Sequence, residues 1–114
     1  MKTIIAGSRG IVNYQALCKA VRNSGFEISE VVSGTARGVD RMGEQWAAEN
    51  QVPVKRFPAD WDRHGRAAGY IRNRAMADYA DALIALWDGD SRGTKGMIDD
   101  AKARGLKVFV AICS

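Results

Sequence analysis

Thr3-Ile4-Ile5-Ala6-Gly7-Ser8-Arg9-Gly10 is an apolar run of strand length that ends in a tight Ser/Gly/Arg turn. The same design returns twice, and each turn opens a helix. Val31 and Val32 lead into Ser33-Gly34-Thr35-Ala36-Arg37-Gly38. The run Ala82–Trp87 leads into Asp88-Gly89-Asp90-Ser91-Arg92-Gly93-Thr94. Arg-Gly sits in all three turns. In a parallel sheet the strands' C-terminal ends lie along one edge, so the turns are expected to converge there. That edge then gathers glycine N–H groups, helix N-termini and the guanidinium groups of Arg9, Arg37 and Arg92, the donors that a phosphate requires.

Five candidate strands alternate with four candidate helices. The strands are Thr3–Ala6, Ile28–Val32, Val54–Phe57, Ala82–Trp87 and Val108–Ile112. Several are continuous apolar runs, the mark of parallel strands covered on both faces. The first helix is expected from its N-cap Asn13 to Ser24, with Gly25 as its stop and Tyr14, Leu17, Cys18 and Val21 on one stripe. The second covers about Gly38 to Asn50, with Val39, Met42, Trp46 and Ala47 inward. The third covers about Ala67 to Ala80. The fourth runs from a Thr94 N-cap to Arg104, with Met97, Ile98 and Ala101 inward. Pro58 to Arg66 is expected as a loop. The alternation predicts an α/β fold, a Rossmann-like three-layer sandwich with a five-stranded parallel sheet, the first strand central.

The 114 residues suffice for one core, so one domain over residues 1–114 is expected. A hydrophobic share of 46% with 26% charged is ordinary for a globular protein. No apolar stretch approaches the roughly 18 residues of a membrane span, and no signal peptide precedes the first strand, so a cytoplasmic protein without membrane contact is expected. Cys18 and Cys113 stand in unrelated contexts and form neither a metal nor a disulfide framework; Cys18 reads as a small core residue. The net charge of +4 attracts anions generally, but the turn arginines account for it without a polynucleotide. No basic run or aromatic–basic pattern supports nucleic-acid binding.

In the first turn, Gly7 permits close backbone approach, Ser8 can donate to a phosphate oxygen and Arg9 can add a forked contact. The competing reading is a plain turn with an exposed arginine. In the second, Ser33, Gly34, Arg37 and Gly38 bracket small side chains, and Asp40 either caps the helix or accepts hydrogen bonds from a ribose or base. In the third, Ser91, Arg92, Gly93 and Thr94 offer hydroxyls and free N–H groups, while Trp87 either packs in the core or walls a base. Neither a Walker A nor a G-x-G-x-x-G pattern occurs. On the third helix Arg74 and Asp78 are spaced to pair at the surface. Arg72 shares the apolar side with Met76 and Tyr79, so it needs a partner, a ligand anion among the choices, with Asn73 beside it. Asp60-Trp61-Asp62-Arg63-His64 sets carboxylates and the one histidine together, but the spacing fits no ligand pattern. No metal and no cofactor are expected.

Gly7-Ser8-Arg9, Ser33 to Asp40, Ala59-Asp60-Trp61, Ala68-Gly69-Tyr70-Ile71-Arg72-Asn73-Arg74-Ala75-Met76 and Trp87 to Thr94 together resemble the small YspA-type, YpsA-related proteins of the SLOG superfamily. The resemblance spans nearly the whole chain. It implies a Rossmann-like fold with a pocket for nucleotide-derived ligands at the strand C-terminal edge. The superfamily includes Lonely Guy phosphoribohydrolases, whose arginine and methionine are matched by Arg72 and Met76. Their catalytic glutamate, three residues after Gly-Thr, falls here at Met97. Other members are sensors of NAD- or ADP-ribose-derived signals, and one relative handles DNA during uptake.

The expectation is therefore a module that binds a phosphorylated nucleoside derivative, such as an ADP-ribose-like, cyclic or monophosphate nucleotide. It would act as sensor, carrier or sequestering agent, as in phage–host conflict. Gly7, Ser8, Arg9, Ser33, Gly34, Arg37, Gly38, Ser91, Arg92, Gly93 and Thr94 would surround phosphate and ribose. Arg72 and Asn73 would add polar contacts, Asp40 would meet a hydroxyl, and Trp61 or Trp87 would flank the base. The alternative is a nucleotide hydrolase in which Asp60 or Asp40, with Arg72, replaces the missing glutamate. Self-association as a homo-oligomer is expected, with Trp46 as a contact or a core residue.

Overall fold

In a computed structural model describing residues 1–113, five strands form one parallel sheet in the order β3-β2-β1-β4-β5. They are β1 (Lys2–Gly7), β2 (Glu30–Ser33), β3 (Val54–Arg56), β4 (Ala82–Trp87) and β5 (Lys107–Ile112). The helices are α1 (Tyr14–Ser24), α2 (Val39–Glu49), α3 (Trp61–His64), α4 (Ala68–Tyr79) and α5 (Arg92–Ala103). The α/β sandwich is the one expected from the sequence, with β1 in the middle.

Alternation along β1 builds the layers. Ile4 and Ala6 face a cluster with Met76 and Ala77 of α4, Ala80 just after it, and Met97, Ile98 and Ala101 of α5. Ile5 faces the opposite cluster with Leu17, Ala20 and Val21 of α1 and Val39, Met42 and Ala47 of α2. Both faces are covered, so Ile4 and Ile5 are equally buried, and the strand reads as unbroken apolar sequence. Gly7 ends β1 where no side chain fits. A Cβ there would lie 2.3 Å from the Leu86 carbonyl oxygen and 2.7 Å from Val39 Cγ2.

Chain direction in the sheet locates the functional edge. From β1 the chain steps outward through β2 to β3, then crosses back to β4 and β5. The neighbours β1 and β4 therefore feed loops to opposite sides, which opens a crevice beyond their C-terminal ends.

Four local expectations are corrected. The segment from Pro58 to Arg66 is not all loop: Asp60 caps α3 by accepting from the Arg63 N–H at 3.1 Å, and a 3-10 turn, Gly65–Ala67, leads into α4. Helix α5 starts before Thr94, which lies buried inside it, while Ser91 takes the N-cap position. The reason is Asp88, whose Oδ1 accepts from the N–H groups of Asp90 and Ser91 at 2.8 and 2.7 Å and folds the chain into the helix early. Asp78 pairs with Arg104, just past the end of α5, at 2.5 Å instead of with Arg74, because α4 and α5 lie side by side. Cys18 is half-buried and stands outside both core clusters. Trp46 packs half-buried against the core through α2. Among the described residues no helix is long and apolar enough to cross a membrane.

Candidate functional site

The β1 and β4 ends are tied together by Ser8. Its backbone N–H donates to the Leu86 carbonyl at 3.0 Å, and its Oγ accepts from the Asp88 N–H at 3.2 Å. Ser8 Oγ also stands 3.5 Å from Thr94 Oγ1, which is 3.3 Å from Ser91 Oγ. A chain of three hydroxyls thus lies under the crevice between β1 and α5. The N–H groups of the first turn of α5 have no intrahelical acceptor, and among the described residues no side chain caps them.

Above this floor is a cleft of about 500 Å³. Its walls include Gly7, Ser8 and Arg9 from the first turn, Asp40 of α2, and Asp88, Ser91, Gly93 and Thr94 from the third turn. Arg72 and Asn73 of α4 close one side, and Met76 and Met97 make the apolar part of the base. A second hollow of about 430 Å³ adjoins it, lined by Gly34, Thr35, Ala36, Arg37, Pro58 and Ala59. Arg9, Ala36, Trp61 and Arg72 line both spaces and therefore stand at their junction.

Arg72 is the pivot. Its Nε donates to Asn73 Oδ1 at 2.9 Å and its Nη1 donates to the Gly34 carbonyl. The partner expected for an arginine on an apolar helix side is thus a backbone oxygen, and the guanidinium is held rigidly at the cleft wall. Burial lowers its pKa from the ordinary arginine value, opposed by the attraction of Asp40. Gly34 is required for this approach. A Cβ there would lie 2.7 Å from both Arg72 Nη1 and Asp40 Oδ2.

Asp40 is buried, and burial pushes its carboxyl up to about 6, against the lowering effects of the Ala36 N–H and of Arg72. Its Oδ2 accepts from that N–H at 3.1 Å, which fixes the second turn. Asp40 thus lines the cleft while fixing the second turn, and it makes no capping hydrogen bond to α2. Asp88 is the opposite case. The N–H groups of Ser91 and Asp90 hold its carboxyl below the usual range.

Five of the candidate ligand or catalytic residues read from the sequence line neither space. Ser33 is fully buried and donates to Glu44 Oε2 at 2.7 Å, an internal bond that ties β2 to α2. Gly38 backs the first turn, where a Cβ would come within 2.9 Å of the Arg9 carbonyl oxygen. Trp87 is half-buried on the core side and donates from Nε1 to the Ser91 carbonyl at 3.0 Å, which makes it a brace for the third turn. Arg92 is exposed at the α5 start. Asp60, outside both linings, is occupied in capping α3. Among the described residues no cluster of His, Cys, Asp and Glu could hold a metal ion, His64 included.

Conversely, Tyr70, Arg66 and Asp88 line the cleft without having been singled out. Tyr70 stands 52% exposed and Trp61 54% exposed, an unusual state for two aromatics at one opening. Each rests against a glycine: Trp61 Cη2 is 3.7 Å from the Cβ position of Gly69, and the Tyr70 ring is 3.7 Å from that of Gly96. The available signal was Gly69-Tyr70 itself, next to Arg72 and one turn from the arginine side of α4.

Two proteins are similar over nearly the whole chain. The Gene 61 protein of Mycobacterium phage D29 is 32% identical over 118 residues, covering 95% of this chain and 94% of the phage protein. The crystal structure of DNA processing protein A (DprA) from Streptococcus pneumoniae matches the fold with a TM-score of 0.73 at 20% identity, covering 99% of this chain. This chain spans 50% of the length of that protein, and the likeness is one of fold. The family model described as YspA, cpYpsA-related SLOG family matches residues 1–64, which hold the first two glycine turns and α3. The chain belongs to the YspA, cpYpsA-related SLOG family.

Proposed function

We propose that this protein binds a phosphorylated nucleoside derivative in the cleft at the C-terminal edge of the sheet, as a sensor, carrier or sequestering module. The observation that carries the reading is the convergence of Ser8, Gly93, Thr94, Arg9 and Arg72 on one cleft at the β1/β4 switch point. Uncapped N–H groups at the start of α5 and two guanidinium groups suit a phosphate. Asp40 suits a ribose or base hydrogen-bond donor. Trp61 and Tyr70 suit the flat faces of a base. Family membership supports a nucleotide-related role, and the phage relative is compatible with sequestration during infection.

The deciding experiment is calorimetric titration with nucleoside monophosphates, cyclic nucleotides, NAD and ADP-ribose, followed by mass spectrometry of the recovered ligand. A ligand bound at micromolar affinity or better and recovered intact supports a binding module. No binding by any of them refutes it.

One observation favours a hydrolase as the second reading. Asp40 is a buried cleft carboxyl with its pKa raised to about 6, a value suited to general acid–base work. Met97, buried in the cleft base, carries no acid at the Lonely Guy glutamate position, and Asp60 stands outside the cleft. Recovery of free base and ribose phosphate, lost in Asp40→Asn, would favour the enzyme.

A further inference from the structure

The hollow beside the cleft has an unusual charge pattern. Arg9, Arg37 and Arg72 contribute to its walls, and among the described residues no carboxylate does. Among the described residues none of these arginines has a carboxylate oxygen within 4.0 Å, whereas Arg56, Lys95 and Arg104 all do. Three like charges gathered around one concavity repel each other; Asp40, in the cleft, attracts Arg72 and Arg9 and offsets part of that, and an anion in the hollow would offset the rest. Part of the wall is also held in a disfavoured backbone state. Thr35 has φ 64°, a left-handed conformation that is costly for a β-branched residue and that collects at ligand sites. Its turn is fixed from behind, by the Thr35 N–H donating to Ser33 Oγ at 3.1 Å and by the Ala36 N–H on Asp40.

The order of the groups matters. The α5 N-terminus lies only in the cleft, Arg9 and Arg72 lie at the junction, and Arg37 lies only in the hollow. An anion track therefore leads out of the cleft, past Trp61, into a second space. The cleft already has the about 300–1,000 Å³ typical of a small-molecule site, so a nucleoside with one phosphate does not need the hollow.

We propose that the hollow is a second anion subsite, and that the ligand is a nucleoside carrying two or more phosphate groups, such as a nucleoside 5′-diphosphate or its sugar derivative. One phosphate lies between Arg9 and Arg72, and a later one meets Arg37. This rests on the nucleotide reading above.

The test is calorimetry on the full chain and on Arg37→Ala and Arg37→Lys variants, with AMP, ADP, GMP, GDP and ADP-ribose as probes. Arg37 is exposed in a turn, so its truncation leaves both core clusters intact. The wild type is expected to bind at least one diphosphate about tenfold more tightly than the matching monophosphate, the usual scale of a charge-assisted hydrogen bond. Arg37→Ala removes that increment and leaves the monophosphate affinity unchanged, while Arg37→Lys keeps part of it. Equal wild-type affinities for the two classes overturn the subsite and leave the nucleotide reading standing. So does an Arg37→Ala variant that weakens both classes equally. Failure of every probe to bind overturns the reading on which the subsite rests.

Discussion

Replacing Asp40 by asparagine should make the protein more stable at neutral pH, although the position lies in the cleft. Asp40 is 5% exposed, and burial raises its carboxyl from 3.8 to about 6. A raised folded-state value means that folding favours the protonated acid. The contribution is complete below about pH 4 and is lost as pH rises through about 6. A gap of about two pKa units corresponds to about 3 kcal/mol between those limits. Asparagine is close in size, and its Oδ1 can still accept from the Ala36 N–H. It has no charge to desolvate, so the variant should gain about 1–3 kcal/mol over the wild type at pH 8. For a chain of this length that is a rise of roughly 4–12 °C in Tm. The assay is urea and thermal unfolding of both proteins at pH 4, 5.5, 7 and 8. The wild-type stability should fall relative to the variant across this range, with the two close at pH 4. Parallel stability–pH curves would refute the account, as would a variant less stable than the wild type at pH 8. The result would also describe a tension within the site: the fold tolerates a carboxylate that it would be more stable without.

Three further outcomes test the geometry. Arg72→Ala should weaken nucleotide binding by more than about tenfold, measured by calorimetry, because a guanidinium held at the junction is lost. Trp61→Ala and Tyr70→Ala should each weaken a nucleoside monophosphate by about 1–3 kcal/mol while leaving ribose 5-phosphate unaffected, since stacking acts on the base. Both side chains are more than half exposed, so the melting temperature should stay where it was. Gly7→Ala should destabilise the protein by about 1–3 kcal/mol in a urea titration, because the new methyl would meet the Leu86 carbonyl and Val39 at the point where β1, β4 and α2 join.

Most of the fold was legible because its signals are local. An unbroken apolar run such as Ile4-Ile5-Ala6 has few solutions other than a strand covered on both faces, and the structure buries those side chains alternately against α4/α5 and α1/α2. The caps of α1 behave as their sequence suggests: Asn13 accepts from the Ala16 N–H at 3.2 Å, and Gly25 takes the left-handed conformation. The short α3 was missed because four residues carry no hydrophobic period, although Asp60 offered a cap signal. The α5 start was placed too late because Asp88, not Thr94, organises that turn through two backbone N–H groups.

The amino-acid sequence alone determined the alternation of strands and helices, the three glycine–arginine turns and the edge at which they meet, since each follows from periodicity and short-range backbone chemistry. Its family-like motifs pointed to the membership that the phage relative and the family match bear out. The tertiary structure decided which side chains of those turns face a common space. Ser33 and Trp87 turn inward to brace β2 and the third turn, while Tyr70 and Arg66, far from any glycine turn in the chain, arrive at the cleft on α4 and the segment before it. It also decided the charge layout, setting Asp40 beside Arg72 and bringing Arg37 into the adjoining hollow with Arg9 and Arg72. The physical reason is that facing depends on packing between elements distant in sequence. The crossing of α4 over β1 and the reversal of strand order between β1 and β4 are properties of the assembled sheet, and no local run of residues encodes them.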